Sequence, residues 1–284
     1  MEILFTLFYA IFIGFYNIFK KLAVRKTNES VVLVLFTSVA FLLSLMWIPF
    51  GLKIPLKFIL IFALKGFLLA SSWFILLKIL KTADLSVVTV TRVLSSVLTF
   101  ILGVCIFNES AGTWQIVGMA IIILSVAGIN LCNKNSDGKI TTLNLILLLL
   151  TSIIITVSNV IDKYTTTYLT QYQVQFWCLL FICLFSWMYF LIDCLRSKKL
   201  LIQKTDFKNF WIYLIGIFLF LGDFWLFQAY KVSGSQMITI SVISKLNAVV
   251  TVLAGIVIFK EKNIWQKLVL TFLAICGVVM ISVL

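Results

Sequence analysis

Four charged residues lie deep inside long apolar stretches of this chain: Lys65, Arg92, Asp223 and Lys245. A charge at the centre of a bilayer costs at least about 2.5 kcal/mol, so such a residue normally faces a cavity or an opposite charge. Three cations against one carboxylate favour an anionic or phosphorylated ligand, because arginine offers a bidentate fork and lysine a point charge. A structural ion pair of Asp223 with Arg92 or Lys245 is an equally open interpretation.

Small polar residues extend this set of candidates. Arg92, Ser95 and Thr99 follow one another at i, i+3 and i+7, a spacing that puts side chains on one face of a helix. Hydrogen bonding between helices explains the serine and threonine equally well. The aromatic candidates are Trp73 and Trp225, although aromatic residues in membranes more often pack or anchor the interface. The candidate ligand-binding residues are Lys65, Arg92, Lys245, Asn17, Asn159, Ser95, Thr99, Asn247, Trp73 and Trp225.

The residue types also limit the chemistry. The chain has no histidine, so a coupling proton would have to be carried by a carboxylate, with Asp223 the first candidate and Asp162 the second. No phosphate-binding loop, nucleophile elbow or metal-ligand cluster is present, which disfavours an ATP-driven pump or a hydrolase. The six cysteines are scattered singly, so we expect neither disulfides nor a metal site, and no cofactor.

Composition defines the class of protein. Hydrophobic residues make up 62% of the 284 positions and charged residues 12%, and the mean hydropathy is +1.15. These values exclude a water-soluble core and require several membrane spans, which at about 20 apolar residues each are helices. The formal net charge of +13 is spread over short loops, which is typical of a topology signal and not of nucleic-acid binding.

Polar residues divide the chain into ten predicted helices, so we expect an all-α membrane protein. The predicted helices cover residues 3–20, 31–50, 56–80, 85–107, 114–131, 143–164, 174–195, 210–232, 236–259 and 264–284.

The chain contains an internal duplication. Residues 73–109 align with residues 225–261 without a gap at an offset of 152, which pairs Thr99 with Thr251 and Glu109 with Glu261. At this offset the stripe of Arg92, Ser95 and Thr99 corresponds to Ser244, Asn247 and Thr251. Five helices in each half force the halves to insert with opposite orientation, as in inverted-repeat transporters. We expect the first repeat at residues 1–132, a polar linker at 133–140 and the second repeat at 141–284, with the two glutamates capping turns.

The first helix of each half carries a second, shorter correspondence. Asn17 precedes Lys21 by four residues, and Asn159 precedes Lys163 by four, at an offset of 142. Orientation follows from charge: sixteen lysines and arginines lie near the loops after the odd-numbered helices, against four on the other side. This bias predicts that the odd-numbered loops are cytoplasmic and that both termini lie outside.

Together these features resemble the ten-helix EamA-type members of the drug/metabolite transporter superfamily. The matching pieces are Asn17-x-x-x-Lys21 with its copy at Asn159, the ends of the duplicated segments at Glu109 and Glu261, and the closing helices at residues 114–128 and 265–277. The resemblance implies a secondary carrier of small metabolites in a bacterial inner membrane, with a cavity lined by helices 1, 3, 4, 6, 8 and 9. Many members have a proline in helices 4 and 9; here these helices run through Leu94 and Leu246, so a kink would need another cause.

Three functions remain open on the sequence. The first is a secondary transporter of a small polar, anionic metabolite that works by alternating access, with the bilayer and a coupling proton as partners and the monomer as the working unit. The second is a flippase for an anionic lipid of the polyprenyl-phosphate type. A receptor or scaffold is the third, disfavoured because every loop is short. Export of amino acids or drugs stands beside these three as the remaining alternative, and export of cationic drugs is disfavoured because it would need intramembrane carboxylates without competing cations.

Overall fold

The computed structural model describes residues 1–107, 112–132, 141–232, 237–259 and 264–283, and all regular structure in these ranges is helical. The first repeat contains α1 to α6 and the second α7 to α12. The helices are α1 (Glu2–Val24), α2 (Glu29–Ser44), α3 (Leu56–Thr82), α4 (Leu85–Val93), α5 (Ser95–Phe107), α6 (Thr113–Cys132), α7 (Thr142–Tyr168), α8 (Gln171–Ser197), α9 (Phe210–Lys231), α10 (Met237–Ser244), α11 (Asn247–Val257) and α12 (Ile264–Val283). Short 3-10 helices follow α2 and precede α9.

The prediction of an all-α membrane protein is confirmed. Seven helical stretches among the described residues are long and apolar enough to cross a membrane, and two shorter apolar helices cover Ile116–Gly128 and Trp265–Gly277. Helices suit this environment because every backbone group is satisfied within the segment. The sequence also fixes where they begin: Asn28 caps α2 by accepting a hydrogen bond from the Ser30 amide at 3.0 Å, and Thr170 and Gln173 form a capping box on α8.

The prediction that helices 4 and 9 are continuous was wrong. Helix 4 is divided at Leu94 into α4 and α5, and helix 9 at residues 245–246 into α10 and α11. At both places the backbone tightens to i→i+3 hydrogen bonds, from the Leu94 amide to Thr91 at 3.2 Å and from the Leu246 amide to Ile243 at 3.0 Å. No proline is needed, and the two interruptions are related by the same offset of 152 as the duplicated segments.

The two repeats pack on each other through two equivalent pairs of helices, and each pair crosses closely at a glycine. α3 crosses α8 at Gly66, where a Cβ atom would lie 2.6 Å from the Cβ of Phe181, and α9 crosses α2 at Gly216, where it would lie 2.8 Å from the carbonyl oxygen of Phe36. Close approach of this kind is how membrane helices gain packing energy without a hydrophobic driving force. The crossings bring α3 and α9, which carry Lys65 and Asp223, against the opposite repeat.

We therefore expect Gly66→Ala to destabilise the protein by about 1–3 kcal/mol through overpacking, because backbone atoms of α8 lie beside the added methyl group. Denaturation in detergent micelles, followed by circular dichroism, measures the effect. Leu64→Phe on the same helix is the control, since Leu64 is 57% exposed and faces outward. Equal stability of the two variants would contradict the crossing.

The bundle has two ends, which we name by the chain. The amino-terminal face is the end where α1 begins, α7 ends at Tyr168 and α9 ends at Lys231; the opposite face is where α1 ends at Val24, α4 begins and α12 begins. This assignment follows from the alternating direction of helices joined by short connections. The predicted linker at residues 133–140 and the predicted turn residues Glu109 and Glu261 lie outside the described residues.

Candidate functional site

A cavity of about 100 Å³ lies between the two repeats, in the half of the bundle nearer to the amino-terminal face. It is bordered by α1, α3, α4, α7, α8 and α9. Its polar lining includes Asn17, Lys65, Arg92, Asn159, Asp162 and Asp223, and Trp73 contributes an aromatic wall. Five of these seven positions come from the predicted ligand-binding set, and Asp223 is the predicted proton carrier. The charged residues of the apolar stretches thus converge on one place.

A second chamber of about 70 Å³ continues from the first. The two share Tyr9, Asn17 and Arg92, and the second adds Lys245 and Asn247 from the interrupted helix 9. Arg92 therefore lies at the junction of the two chambers. Lys65 and Lys245 lie in different chambers, with the arginine between them.

The helix interruptions hold the cations of the junction. Arg92 occupies the last turn of α4, and Lys245 follows the last residue of α10. The carboxyl-terminal end of a helix carries a partial negative charge, which stabilises a cation placed there. Ser95 completes the arrangement, because its hydroxyl donates to the Arg92 carbonyl at 2.8 Å. The interruptions therefore place both cations next to helix ends of favourable partial charge, inside the bundle.

Lys65 and Asp162 form a buried ion pair that joins α3 of the first repeat to α7 of the second. Both side chains are almost completely buried, at 3% and 4% exposure. The Lys65 ammonium also donates to the Cys178 sulfur at 3.3 Å and lies 5.4 Å from the centre of the Phe227 ring. A buried pair of this kind fixes the position of α3 relative to α7. Because its two charges neutralise each other, it adds no net charge to the cavity.

Asp223 and Arg92 are the uncompensated charges of the cavity. Among the described residues, neither side chain forms an ion pair, and the Arg92 Nε is buried without a hydrogen-bond acceptor. A buried donor without an acceptor is costly unless a ligand or water satisfies it. The arrangement can therefore receive an acceptor at Arg92 and a proton or donor at Asp223.

Three of the predicted binding residues do not line either chamber. The Ser95 and Thr99 side chains are buried in α5, and Trp225 packs against Phe5 and Phe8 with ring centroids 5.5 and 5.0 Å away. Lys21, paired in sequence with Asn17, caps α3 by donating to the carbonyls of Leu80 and Ala83. In the first helix only the asparagine of that motif lines the cavity.

Besides Lys21, two more buried lysines are among those that the charge count assigned to the loops. Lys20 and Lys267 are both fully buried, although each lies near the end of an apolar stretch. Lys267 contacts Asp84 at 2.6 Å, which links the start of α4 to α12. A signal for Lys20 was present: at the offset of 142 that pairs Asn17 with Asn159, its counterpart is Asp162, a residue of the cavity.

The opposite face is closed by contacts between the repeats. They are the Asp84–Lys267 pair, the Arg25 guanidinium 4.6 Å from the centre of the Phe259 ring, and the Asn209 amide donating to the Ala23 carbonyl at 3.2 Å. The cavity therefore ends near the middle of the bundle. Arg92 and both chambers lie on the amino-terminal side of these contacts.

One protein-family profile matches both halves of the chain, in agreement with the internal duplication. A profile of the EamA-like transporter family matches residues 1–131 and again residues 142–283. No curated protein matches the sequence. Of 28 matching chains in solved structures, one from a crystal structure has a TM-score of 0.66 over 95% of both chains at 14% identity, which shows likeness of fold alone.

Proposed function

Because the chain belongs to the EamA-like transporter family, it is a membrane transporter of the drug/metabolite type, and we propose that it is a secondary carrier of a small, polar, anionic metabolite. The solute moves by alternating access through the cavity between the repeats, as inverted repeats allow. The observation that carries this proposal is Arg92, which lies at the junction of both chambers with a buried Nε that has no acceptor among the described residues.

The charge balance supports an anion. Lys65 and Asp162 neutralise each other, which leaves Arg92 and Lys245 against Asp223 in the two chambers. A carboxylate or phosphate of the solute bound between Arg92 and Lys245 would satisfy both cations, since guanidinium bonds to oxyanions are charge-assisted. Asp223 then has the role of proton carrier, because its protonation removes a negative charge that would repel the solute.

We propose the bacterial plasma membrane as the location, with the opposite face cytoplasmic. The burial of Lys20, Lys21 and Lys267 removes three lysines from the charge count, yet the remaining bias keeps its direction. In this orientation the cavity of the present conformation lies in the outer half of the bundle.

The test begins by finding the solute. A thermal-shift screen of the purified protein against anionic metabolites detects a ligand because binding to the folded state raises stability by mass action. Uptake of the ligand into proteoliposomes should then fall about tenfold to a hundredfold in Arg92→Ala, which removes charge-assisted hydrogen bonds of about 1.5–3 kcal/mol. Arg196→Ala, an exposed arginine at the end of α8, is the matched control.

Arg92→Lys separates charge from geometry, since it keeps the cation and loses the fork. Asp223→Asn should abolish acceleration by a proton gradient and preserve solute exchange. Wild-type flux in folded Arg92→Ala and Asp223→Asn proteins would contradict the site, and a screen in which only cations bind would contradict the anionic substrate.

A further inference from the structure

Lys20 is a fully buried lysine with no acidic side chain in contact with it among the described residues. Its side chain is 0% exposed, and its Nζ has no hydrogen-bond partner among the described residues. Aromatic rings surround it instead: Nζ lies 4.0 Å from the ring centre of Tyr16, 4.9 Å from that of Trp73 and 5.3 Å from that of Phe36. We call these three residues the aromatic cage. Rings attract a cation, but they cannot satisfy three N–H donors.

The cage lies directly behind the cavity and nearer to the opposite face. Tyr16 and Trp73 line the cavity on one side and contact Lys20 on the other. Lys20 is four residues from the end of α1, in the closed half of the bundle. Two charged residues, Arg92 on α4 and Asp223 on α9, are near enough to interact electrostatically with the Lys20 amino group.

The internal duplication relates this closed half to the half that contains the cavity. Both α2 and α8 begin directly after a capping residue, at Glu29 and Gln171, so the offset of 142 found for α1 and α7 holds for this pair as well. At that offset Lys20 corresponds to Asp162, Tyr16 to Ser158 and Phe36 to Cys178. All three counterparts line the cavity: Ser158, Asp162 and Cys178.

The helix packing also differs between the closed half and the half that contains the cavity. α1 packs along α9 more extensively than its counterpart α7 packs along α3. In an inverted-repeat carrier the second conformation arises when one repeat rocks against the other around the site. An exchange of these unequal contacts would open the half that contains Lys20 and close the half that contains Asp162.

We propose that Lys20 is a solute-binding residue of the opposite conformation, in which the cage opens and the lysine lines a cavity reached from the opposite face. This inference rests on the proposed alternating access. The exchange replaces Asp162 by Lys20 in the accessible half, so the cavity that faces the opposite side carries the more positive lining. An anionic solute then contacts Arg92 in both conformations and Lys20 in only one.

Cysteine accessibility tests the proposal in the full-length protein. In a background with all other cysteines replaced, Lys20→Cys should react with a charged, membrane-impermeant thiol reagent added at the opposite face, and not at the amino-terminal face. The native Cys178 lines the cavity and tests the other face. In a variant that keeps Cys178 and has all other cysteines replaced, it should react from the amino-terminal face. Phe15→Cys is the control, because Phe15 is exposed on the outer surface of α1 toward lipid, which the reagent does not enter.

Phe36→Cys is a second position at which accessibility from the opposite face can be measured. It replaces Lys20→Cys if that variant does not fold. Added solute should protect Lys20→Cys from the reagent at the opposite face, and Lys20→Met should lose solute binding from that face alone. The proposal is overturned if neither Lys20→Cys nor Phe36→Cys reacts from the opposite face while the same proteins transport solute. If no variant transports and Cys178 reacts equally from both faces, the proposed function itself fails.

Discussion

Replacing Lys65 by methionine should lower the free energy of unfolding by about 3–5 kcal/mol, the cost of leaving one member of a buried ion pair without its partner. Lys65 and Asp162 are both nearly fully buried, and they join the two repeats through α3 and α7. Methionine keeps the length of the side chain, so the loss is one of charge and not of volume. Denaturation in detergent micelles measures the effect.

The double variant Lys65→Met, Asp162→Leu should recover most of the lost stability, because removal of both charges also removes their desolvation cost. Its transport should remain impaired, since the pair sets the distance between α3 and α7 beside Asp223. The surface pair of Lys81 and Glu29 is the matched control: it has a 3.0 Å contact with Lys81 48% exposed, so Lys81→Met should cost about 0–1 kcal/mol. Similar losses for Lys65→Met and Lys81→Met would contradict the importance of the buried pair.

The sequence predicted the fold because its strongest signals are local or repeated. Apolar runs define the spans, and the offset of 152 defines the inverted repeat, which the family match over both halves supports. The four charges in apolar stretches also indicated the cavity: Lys65, Arg92 and Asp223 line the first chamber and Lys245 the second. A charge in the middle of a span must face a cavity or an opposite charge, so its position in the sequence already indicates where the cavity lies.

Residues near the ends of helices could not be assigned in this way. Lys20, Lys21 and Lys267 are close enough to an end to extend toward water, yet all three side chains turn inward and are buried. Their direction depends on which helices pack beside them, and the sequence does not contain that information locally. The interruptions at Leu94 and Leu246 were missed for a related reason, since they arise from backbone tightening around the site and not from a proline.

The second large effect concerns the Asp84–Lys267 pair, which closes the opposite face. Lys267 is fully buried and Asp84 is 18% exposed, with 2.6 Å between Nζ and Oδ2. At the offset of 152 the equivalent positions are Gln236 and Gln115, two uncharged residues. The sequence therefore places this charged pair at only one of the two repeat-related positions, so in the proposed alternating-access cycle it favours the present conformation over the inverted one.

We expect Asp84→Gln to destabilise the present conformation by about 3 kcal/mol, or roughly a hundredfold in the ratio of the two conformations. The substitution removes the carboxylate from this contact, and opening of the opposite face lets water reach Lys267. Spin labels at Lys78 and Gln266, both exposed near that face, should show a shift of their distance distribution toward longer values. Lys81→Gln breaks a pair within the first repeat and should leave the distribution unchanged.

The double variant Asp84→Gln, Lys267→Gln gives both repeat-related positions the same residues. If the charged pair is what separates the two conformations in energy, this variant should populate both, and it should retain transport because no cavity residue has changed. A distance distribution in Asp84→Gln identical to that of the wild type would show that other contacts close the face, with Arg25 against Phe259 the next to test. A shift in Asp84→Gln that the second substitution does not reduce would mean that loss of packing, and not the buried charge, opens the protein.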